Sequence, residues 1–590
     1  MEKYIITLAF IAILHYPFQC FVRSLKSLLA ARAMNLPIFW MPILQDGVLW
    51  QLTKRFYRPL ISQLPLRLRQ SEWFDLWYPD WRFVAKHELH KKYGDVFLVV
   101  SPGSLSIEVA DAELAAEIIT RSKYDFVKPN WPYSLLNIFG ENVVSSGGAT
   151  WRRHRKATAS QFGSTIHKQV WRKSLILGQE LLSMWTNHGA TISTVPNISL
   201  DLEFLVLRVI LSVGFGVTVQ LNRKTHESDP PNVGGISSFA AAMEQVITNL
   251  TKLLVFPDGI LKYGPSSWRS VHGSATWVRT FLENLIWTET RKQKQSLTFT
   301  GHYQEASNML TGLVRQGICH SESQKYREKQ DLLSDEEVMG NMFILAFAGT
   351  NSTADSLKYS LILMALHPDI QQWLIQDIDT AIDYDEDAAN PLEWREEILL
   401  PKLIAPYCME TLRHYPPLTA INKSTGRKSQ IVTLHGSPFV IPEDVNVNIS
   451  LNALHHNPRY WGENALVYQP HNWDIRCKCD WPEGMDKDKD AQETLDITSR
   501  APPVRSPVKG SYLPFSDGAR GCLGKRFSQV EFVAIVTMIF RHYRIELAVG
   551  ESESWEDARC RTQAILNDSA SSPTLSLQRP VPLQFVRRGH

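Results

Sequence analysis

The residues best equipped for chemistry lie between Phe515 and Gly524, where Phe515, Gly518, Arg520, Cys522 and Gly524 are spaced Phe-x-x-Gly-x-Arg-x-Cys-x-Gly. Directly downstream, Phe527, Val530, Phe532, Val533, Val536, Thr537 and Phe540 mark the broad apolar face of a helix from Phe527 to Phe540. Cys522 therefore precedes a helix N-terminus, where free amides and the positive end of the dipole favour a thiolate over a thiol. Gly518 and Gly524 let the backbone turn tightly and pass close to a flat ligand, with no Cβ in the way. Arg520 can reach an anionic group on such a ligand through charge-assisted hydrogen bonds. A soft thiolate with positive edges suits haem iron. The competing reading is a buried structural cysteine in a glycine-rich turn.

Three other stretches carry candidate chemistry. Trp151 and Arg155 are four apart and share one face of a helix that also holds Arg152, Arg153 and Lys156. Glu410 and Arg413, three apart, share a face of a helix that Pro416 and Pro417 end. The run Ala348-Gly349-Thr350-Asn351-Ser352-Thr353 sits near the middle of a long apolar segment. Small residues and hydroxyls there compete for backbone carbonyls, so a local widening or bend is expected.

The Phe-x-x-Gly-x-Arg-x-Cys-x-Gly pattern resembles the haem loop of the cytochrome P-450 family. The other motifs follow in that family's order from about Trp81 to Ala548, and Ala453 to Gly462 is similar to a further family segment. The finer match resembles fungal microsomal members. The resemblance implies that Cys522 is the axial iron ligand within a loop framed by Phe515 and Gly524. It implies that Trp151, Arg155, Lys423 and Arg520 hold the haem propionates. It also implies that Asn351, Ser352 and Thr353 organise water above the iron, and that a buried Glu410–Arg413 pair locks the core behind the loop. Trp131, Tyr133, Leu136, Phe343, Phe347, Leu418 and Ile421 become candidate pocket residues. Two departures stand out. Asn351 and Ser352 occupy the family's acidic and first threonine positions, and Asn472 stands where an arginine usually completes a triad with Glu410 and Arg413. An amide at 472 could keep one hydrogen bond but no charge.

The positioning elements are partly legible. Val96 to Val100 and Ser104 to Val109, joined at Pro102-Gly103, read as two strands. Asp111 caps a helix from Ala112 to Arg121. Leu200 to Gly216 reads as a core helix, Val445 to Leu451 as a strand, and Val217 to Gln330 is hard to read. Ser334 and Glu337 form a capping box opening a long helix to about His367.

Net charge is +2 over 590 residues, which gives no support to nucleic-acid binding. Seven cysteines without framework spacing point to a reducing compartment. Cys477 and Cys479 with His471 match no common zinc spacing. Tyr4 to Val22 carries no formal charge and is just long enough to span a bilayer, so an uncleaved anchor is expected rather than a signal peptide. Leu36 to Leu52 either dips into the membrane interface or packs on the catalytic domain.

The expectation is therefore a mainly α protein with a smaller β-rich lobe (α+β), in the cytochrome P-450 fold. Its expected organisation is an anchor over 1–30, a membrane-proximal linker over 31–72 and a catalytic domain over 73–590, with a polar insertion at 474–509. The expected activity is haem-thiolate monooxygenation of an apolar small molecule with O2, in secondary-metabolite biosynthesis at the endoplasmic reticulum membrane, the catalytic domain facing the cytosol. Electrons would come from NADPH through a separate flavoprotein reductase, drawn to the basic face of Arg152, Arg153 and Lys156. The alternative is a haem-thiolate isomerase, dehydratase or peroxide-using enzyme that needs no NADPH. A non-catalytic haem-binding sensor is a third reading.

Overall fold

The structure is a computed structural model that describes residues 24–41, 76–129 apart from 79, 133–217 apart from 135, 236–300, 308–322, 333–383, 404–474, 505–571 and 573–589, with single residues at 22, 50, 57, 60 and 64. In chain order, β1 (Ile38–Trp40) precedes the hairpin of β2 (Val96–Ser101) and β3 (Ser104–Val109). Then come α1 (Ala112–Thr120), α2 (Gly148–Ala159), α3 (Ser164–Trp185), β4 (Ile192–Val195) and α4 (Ser199–Phe215). Two long helices follow, α5 (Ser266–Thr300) and α6 (Asp335–Leu366). After α7 (Glu410–His414) the chain forms β5 (Ala420–Ser424), β6 (Gln430–Leu434), β7 (Ser437–Ile441) and β8 (Asn446–Ser450). It ends with α8 (Lys525–His542), β9 (Tyr543–Leu547), β10 (Ala570–Ser571), β11 (Leu575–Ser576) and β12 (Leu583–Arg587).

Helices α3, α4, α6 and α8 pack around one apolar core, and α6 is buried at every position from Thr353 to Leu366. A helix buried all round must lie inside the layer rather than on its surface. The β lobe has its own core and a sheet of order β1-β2-β3-β8-β5. Strands β2 and β3 pair antiparallel, β3 and β8 parallel, and β5 and β8 antiparallel, with Lys423 opposite Val447. A second sheet, β4-β12-β9, lies at the helical end, and β6-β7 and β10-β11 are separate hairpins.

Most local signals hold. The Asp111 carboxylate accepts from the Leu114 amide at 2.8 Å, and the Ser334–Glu337 capping box is formed. Gly216 ends α4 in the left-handed region, at φ 70. The widening or bend expected in α6 leaves no break in its hydrogen-bond pattern: the helix is α-helical from end to end. The hydroxyls of Thr350 and Ser352 donate to the carbonyls of Ala346 and Ala348 at 2.7 and 2.6 Å, adding bonds without breaking the ladder. Gly349 instead allows close packing, since a Cβ there would lie 2.8 Å from Ile210 Cδ1 on α4. Ile38–Trp40 pairs with β2, so this part of the 36–52 stretch packs on the catalytic domain. Among the described residues no helix is long and apolar enough to cross a membrane. Tyr4 to Phe21, Cys477 and Cys479 lie outside the described residues.

A buried ion pair joins these parts. The Arg413 guanidinium donates to both Glu410 oxygens at 2.8 Å, and its remaining N–H groups reach the carbonyls of His455, Ala465 and Val467. Glu410 also accepts from the Gln469 amide and from the Trp473 indole, both at 2.9 Å. Burial acts to raise its pKa, but the charge and hydrogen bonds of Arg413, helped by His414, hold it well below the usual carboxylate range. Asn472 does not join in; its amide donates to Gln469 Oε1 at 3.0 Å. Trp473 takes the third place because its indole is buried against the same core and Asn472 is not.

Trp473→Phe should therefore cost about 1.5–3 kcal/mol of stability, the worth of a hydrogen bond to a charged group, while Asn472→Ala should stay within about 0.5 kcal/mol. Urea unfolding of both variants checks this, and equal losses would contradict the assignment.

Candidate functional site

The loop before α8 is shaped by two left-handed residues, Ser516 at φ 54 and Gly518 at φ 62. The Cys522 amide donates to the Phe515 carbonyl at 2.9 Å, closing the loop. Gly524 has an ordinary φ of −83 and caps α8 without a side chain; a Cβ there would lie 4.0 Å from Cys522 Sγ, in ordinary contact with it. Upstream, the Leu513 amide donates to His455 Nε2 at 3.0 Å. His455 Nδ1 lies 3.3 Å from the Arg413 carbonyl, so the ring is the neutral tautomer that donates from Nδ1. Burial, then the Arg413 charge, push its pKa down to about 3. The resemblance marked His455 only as part of a matching segment; its role as a strut between the ion pair and the loop depends on contacts distant in sequence.

Cys522 is exposed at the loop surface, but surrounding protein still desolvates it. Burial raises the thiol pKa, outweighing the lowering by the Gly524 and Lys525 amides and by Arg155. The amides at the start of α8 act in the expected direction, and in the free chain burial outweighs them.

Four cations gather beside this loop. Arg520 lies 4.0 Å over the Trp151 ring and donates to the Ser146 carbonyl at 3.0 Å. Arg155, on the same face of α2 as Trp151, donates to the Gly521 carbonyl at 2.7 Å. Strand β5 carries Lys423, 2% exposed. Lys128 donates to the Val144 carbonyl and lies 4.6 Å over the Tyr133 ring. Burial is the largest cause lowering the pKa of each of the four. Lys423 falls to about 8, burial first and Arg520 second, and Arg520 falls to about 10. Lys128 falls well below its ordinary value under burial and the charges of Arg520, Lys423 and Arg155. The other groups shifting these four are Tyr133 and Cys522; no described Asp or Glu is among them. Arg520 Nε is buried with no hydrogen-bond partner. Crowded like charges with an orphaned donor fit a planar dianion such as the two propionates of haem. Lys128 was missed in the sequence because a lone lysine in a loop carries no local signal.

The other site candidates disperse. Asn351 and Ser352 are half-buried on α6, and Thr353 is buried. Phe343 stacks on Phe347 with centroids 5.9 Å apart, and Phe139 meets Phe343 edge-on at 4.8 Å. Leu136 packs against the main core, while Tyr133 turns to Lys128. Leu418 is 52% exposed, and Ile421 enters the β-lobe core on the same strand face as Lys423. Trp131 lies outside the described residues. On α2, Arg152 and Lys156 are exposed as expected. Arg153 is not part of that patch, because its guanidinium pairs with Glu337 of α6.

Binding of a dianionic porphyrin should weaken as pH rises above about 8. Below that pH Lys423 is charged in the free chain; above it the bound anion must draw in a proton to restore the charge. Transfer of the porphyrin to a competing haem-binding protein, followed from pH 7 to 10, should speed up above about 8 in the wild type and much less in Lys423→Arg. A profile that Lys423→Arg leaves unchanged would remove Lys423 from the cluster's role.

A family model described as Cytochrome P450 matches residues 74–566. Cytochrome P450 monooxygenase ORF6 of Penicillium roqueforti (strain FM164) is 28% identical over 586 residues, covering 94% of this chain and 92% of its own. The monooxygenase prx9 of Penicillium rubens is 29% identical, with 94% and 92% covered. The phomenoic acid biosynthesis cluster cytochrome P450 monooxygenase of Leptosphaeria maculans is 26% identical, with 95% of each chain covered. Among solved structures, a zebra fish cytochrome P450 with abiraterone superposes with a TM-score of 0.59 at 16% identity, covering 86% of this chain and 100% of that one. Retinoic acid bound cyanobacterial CYP120A1 gives 0.58 at 16%, covering 85% and 93%. At such identity the two structures show the fold alone.

Proposed function

This chain belongs to the cytochrome P450 family and is a haem-thiolate monooxygenase; from that premise we propose that it inserts one oxygen atom of O2 into an apolar small molecule in secondary-metabolite biosynthesis, with Cys522 as the iron's thiolate ligand. The observation that carries the site assignment is the cationic cluster beside the Cys522 loop, four basic side chains without a carboxylate among the groups that shift them. The biosynthetic setting is supported by the phomenoic acid cluster relative.

Haem bound through a thiolate supplies dioxygen activation, with thiolate electron density favouring O–O cleavage. The chain's residues do the rest. Arg155, Lys423, Arg520 and Lys128 would hold the propionates, with Trp151 as the platform under Arg520. The raised thiol pKa of Cys522 does not oppose this role, because a metal deprotonates a coordinating thiol outright. The Ser352 hydroxyl spends its proton on the Ala348 carbonyl, leaving its oxygen to accept from water. Thr353 and the Asn351 amide orient water further but cannot supply a proton as a carboxylate does. Phe139, Phe343 and Phe347 offer an apolar wall to substrate. The exposed Arg152 and Lys156 suit an acidic flavoprotein reductase that passes on electrons from NADPH. The uncharged run from Tyr4 to Val22 supports a single-pass anchor in the endoplasmic reticulum with the catalytic domain in the cytosol.

A second reading, isomerisation, dehydration or peroxide use without NADPH, is favoured by Asn351 in place of an acid.

Two experiments test these assignments. Cys522→Ala should abolish the long-wavelength Soret band of the reduced carbon monoxide complex, and a surviving band would show another ligand. Ser352→Ala with Thr353→Val should uncouple the enzyme, so that NADPH consumption continues, peroxide rises and product per NADPH falls by about 10²-fold or more, the usual scale for losing positioned proton transfer. Unchanged coupling would remove the hydroxyls from proton delivery, and anaerobic turnover without NADPH would establish the second reading instead.

A further inference from the structure

A buried chain of charges and hydroxyls lies beyond the site described above. On α6, one turn past Asn351, Asp355 is 3% exposed. Its Oδ2 accepts from the Thr574 hydroxyl at 2.7 Å and its Oδ1 from the Ser576 hydroxyl at 2.8 Å. The Lys358 ammonium lies 2.7 Å from Asp355 Oδ1 and 2.8 Å from Glu203 Oε1 on α4. Burial acts to lower the Lys358 pKa, but the two carboxylates hold it above its ordinary value, so the ammonium stays charged.

Thr574 and Ser576 flank Leu575 on the hairpin β10-β11. Each of its strands has two residues, and an isolated two-stranded hairpin is at best marginally stable. Its place must come from its anchors. The Leu575 amide donates to the Pro417 carbonyl at 2.8 Å, and the Ser571 amide to Asp80 Oδ1 at 3.0 Å. The hairpin thus bridges two segments that carry site residues. One is α6, with Asn351 and Ser352 one turn before Asp355. The other begins at Pro417 and runs through Leu418 to Lys423.

We propose that Asp355 is a positioning residue that clamps β10-β11 to α6 through Thr574 and Ser576, and that the hairpin so held keeps the Pro417–Ile421 segment in place as one side of a cleft that takes the substrate. Lys358 and Glu203 keep the clamp charged: the ammonium neutralises Asp355 without competing for the Oδ2 that Thr574 holds. Hydroxyl bonds to a carboxylate are stronger and more directional than the apolar contacts of Leu575, so they set the hairpin's position where packing alone would leave it free to slide. The cleft half of this inference rests on the monooxygenase reading; the clamp itself does not.

The test uses the full-length haem protein and the double variant Thr574→Val/Ser576→Ala, which leaves Asp355, Lys358 and Glu203 intact. Hydrogen exchange of amides in 570–577 should speed up by about tenfold or more, with those of α8 unchanged. Imidazole and 1-dodecylimidazole are then titrated by the shift of the haem spectrum. Imidazole should bind as in the wild type, whereas the long-chain ligand should lose about tenfold in affinity, the ratio that 1.4 kcal/mol of lost contact produces. Thr574→Ser with Ser576 retained keeps both hydroxyls and should behave as wild type, and Thr574→Val alone should show a smaller effect in the same direction. Wild-type exchange in the double variant would overturn the clamp. Faster exchange with both ligands unaffected, or equally weakened, would overturn the role in the cleft. A wild-type spectrum that neither ligand shifts would refute the functional reading together with the cleft role, while exchange still decides the clamp.

Discussion

The buried pair of Glu410 and Arg413 is the contact on which the other parts lean. Two charges inside a protein are costly, and their attraction offsets that cost only when every remaining donor and acceptor is used. Here Arg413 collects carbonyls from His455, Ala465 and Val467, while Glu410 collects the Gln469 amide and the Trp473 indole. The pair therefore specifies the path of the chain from 455 to 473 by demanding partners from it. His455 passes the constraint on, from the Arg413 carbonyl to the Leu513 amide, and so to the loop of Cys522.

A different kind of constraint governs the site itself. Lys128, Lys423, Arg155 and Arg520 are gathered where burial disfavours their charge and where like charges act on Lys128, Lys423 and Arg520. A fold keeps such an arrangement only where it serves a ligand, because unpaired buried charge lowers stability. In the proposed site, haem propionates would supply the missing negative charge, linking binding energy and local electrostatics at one place. The thiol of Cys522 shows the same competition in miniature: the Gly524 and Lys525 amides and the charges of Arg155 and Lys525 pull its pKa down, and desolvation pulls harder.

Helix α6 serves the core and, in the proposed mechanism, the chemistry as well. Its second half is buried throughout, which makes it a rigid rod through the helical layer. The hydroxyls of Thr350 and Ser352 satisfy themselves on carbonyls one turn back, and so remain inside an unbroken helix while still presenting acceptor oxygens. One turn further on, Asp355 ties the same rod to the C-terminal hairpin.

The features that the sequence determined by itself are those set by local spacing. The shared face of Trp151 and Arg155, the Ser334–Glu337 capping box, the Asp111 cap, the β2–β3 hairpin and the helix after Cys522 depend on residues within a turn or two of one another, and all form as read. What only the tertiary structure decided is how distant segments share partners and exclude water. Trp473 and not Asn472 completes the ion pair, because burial places the indole there. Arg153 leaves the exposed basic face for Glu337, and Lys128 joins the cations from a loop with no signal of its own. Ile421 enters the β-lobe core, and the Cys522 thiol is raised where its position before a helix argued for the opposite. Periodicity and capping are properties of a short stretch, whereas desolvation and long-range pairing belong to the packed chain, and those are the terms that set the charge states of the site.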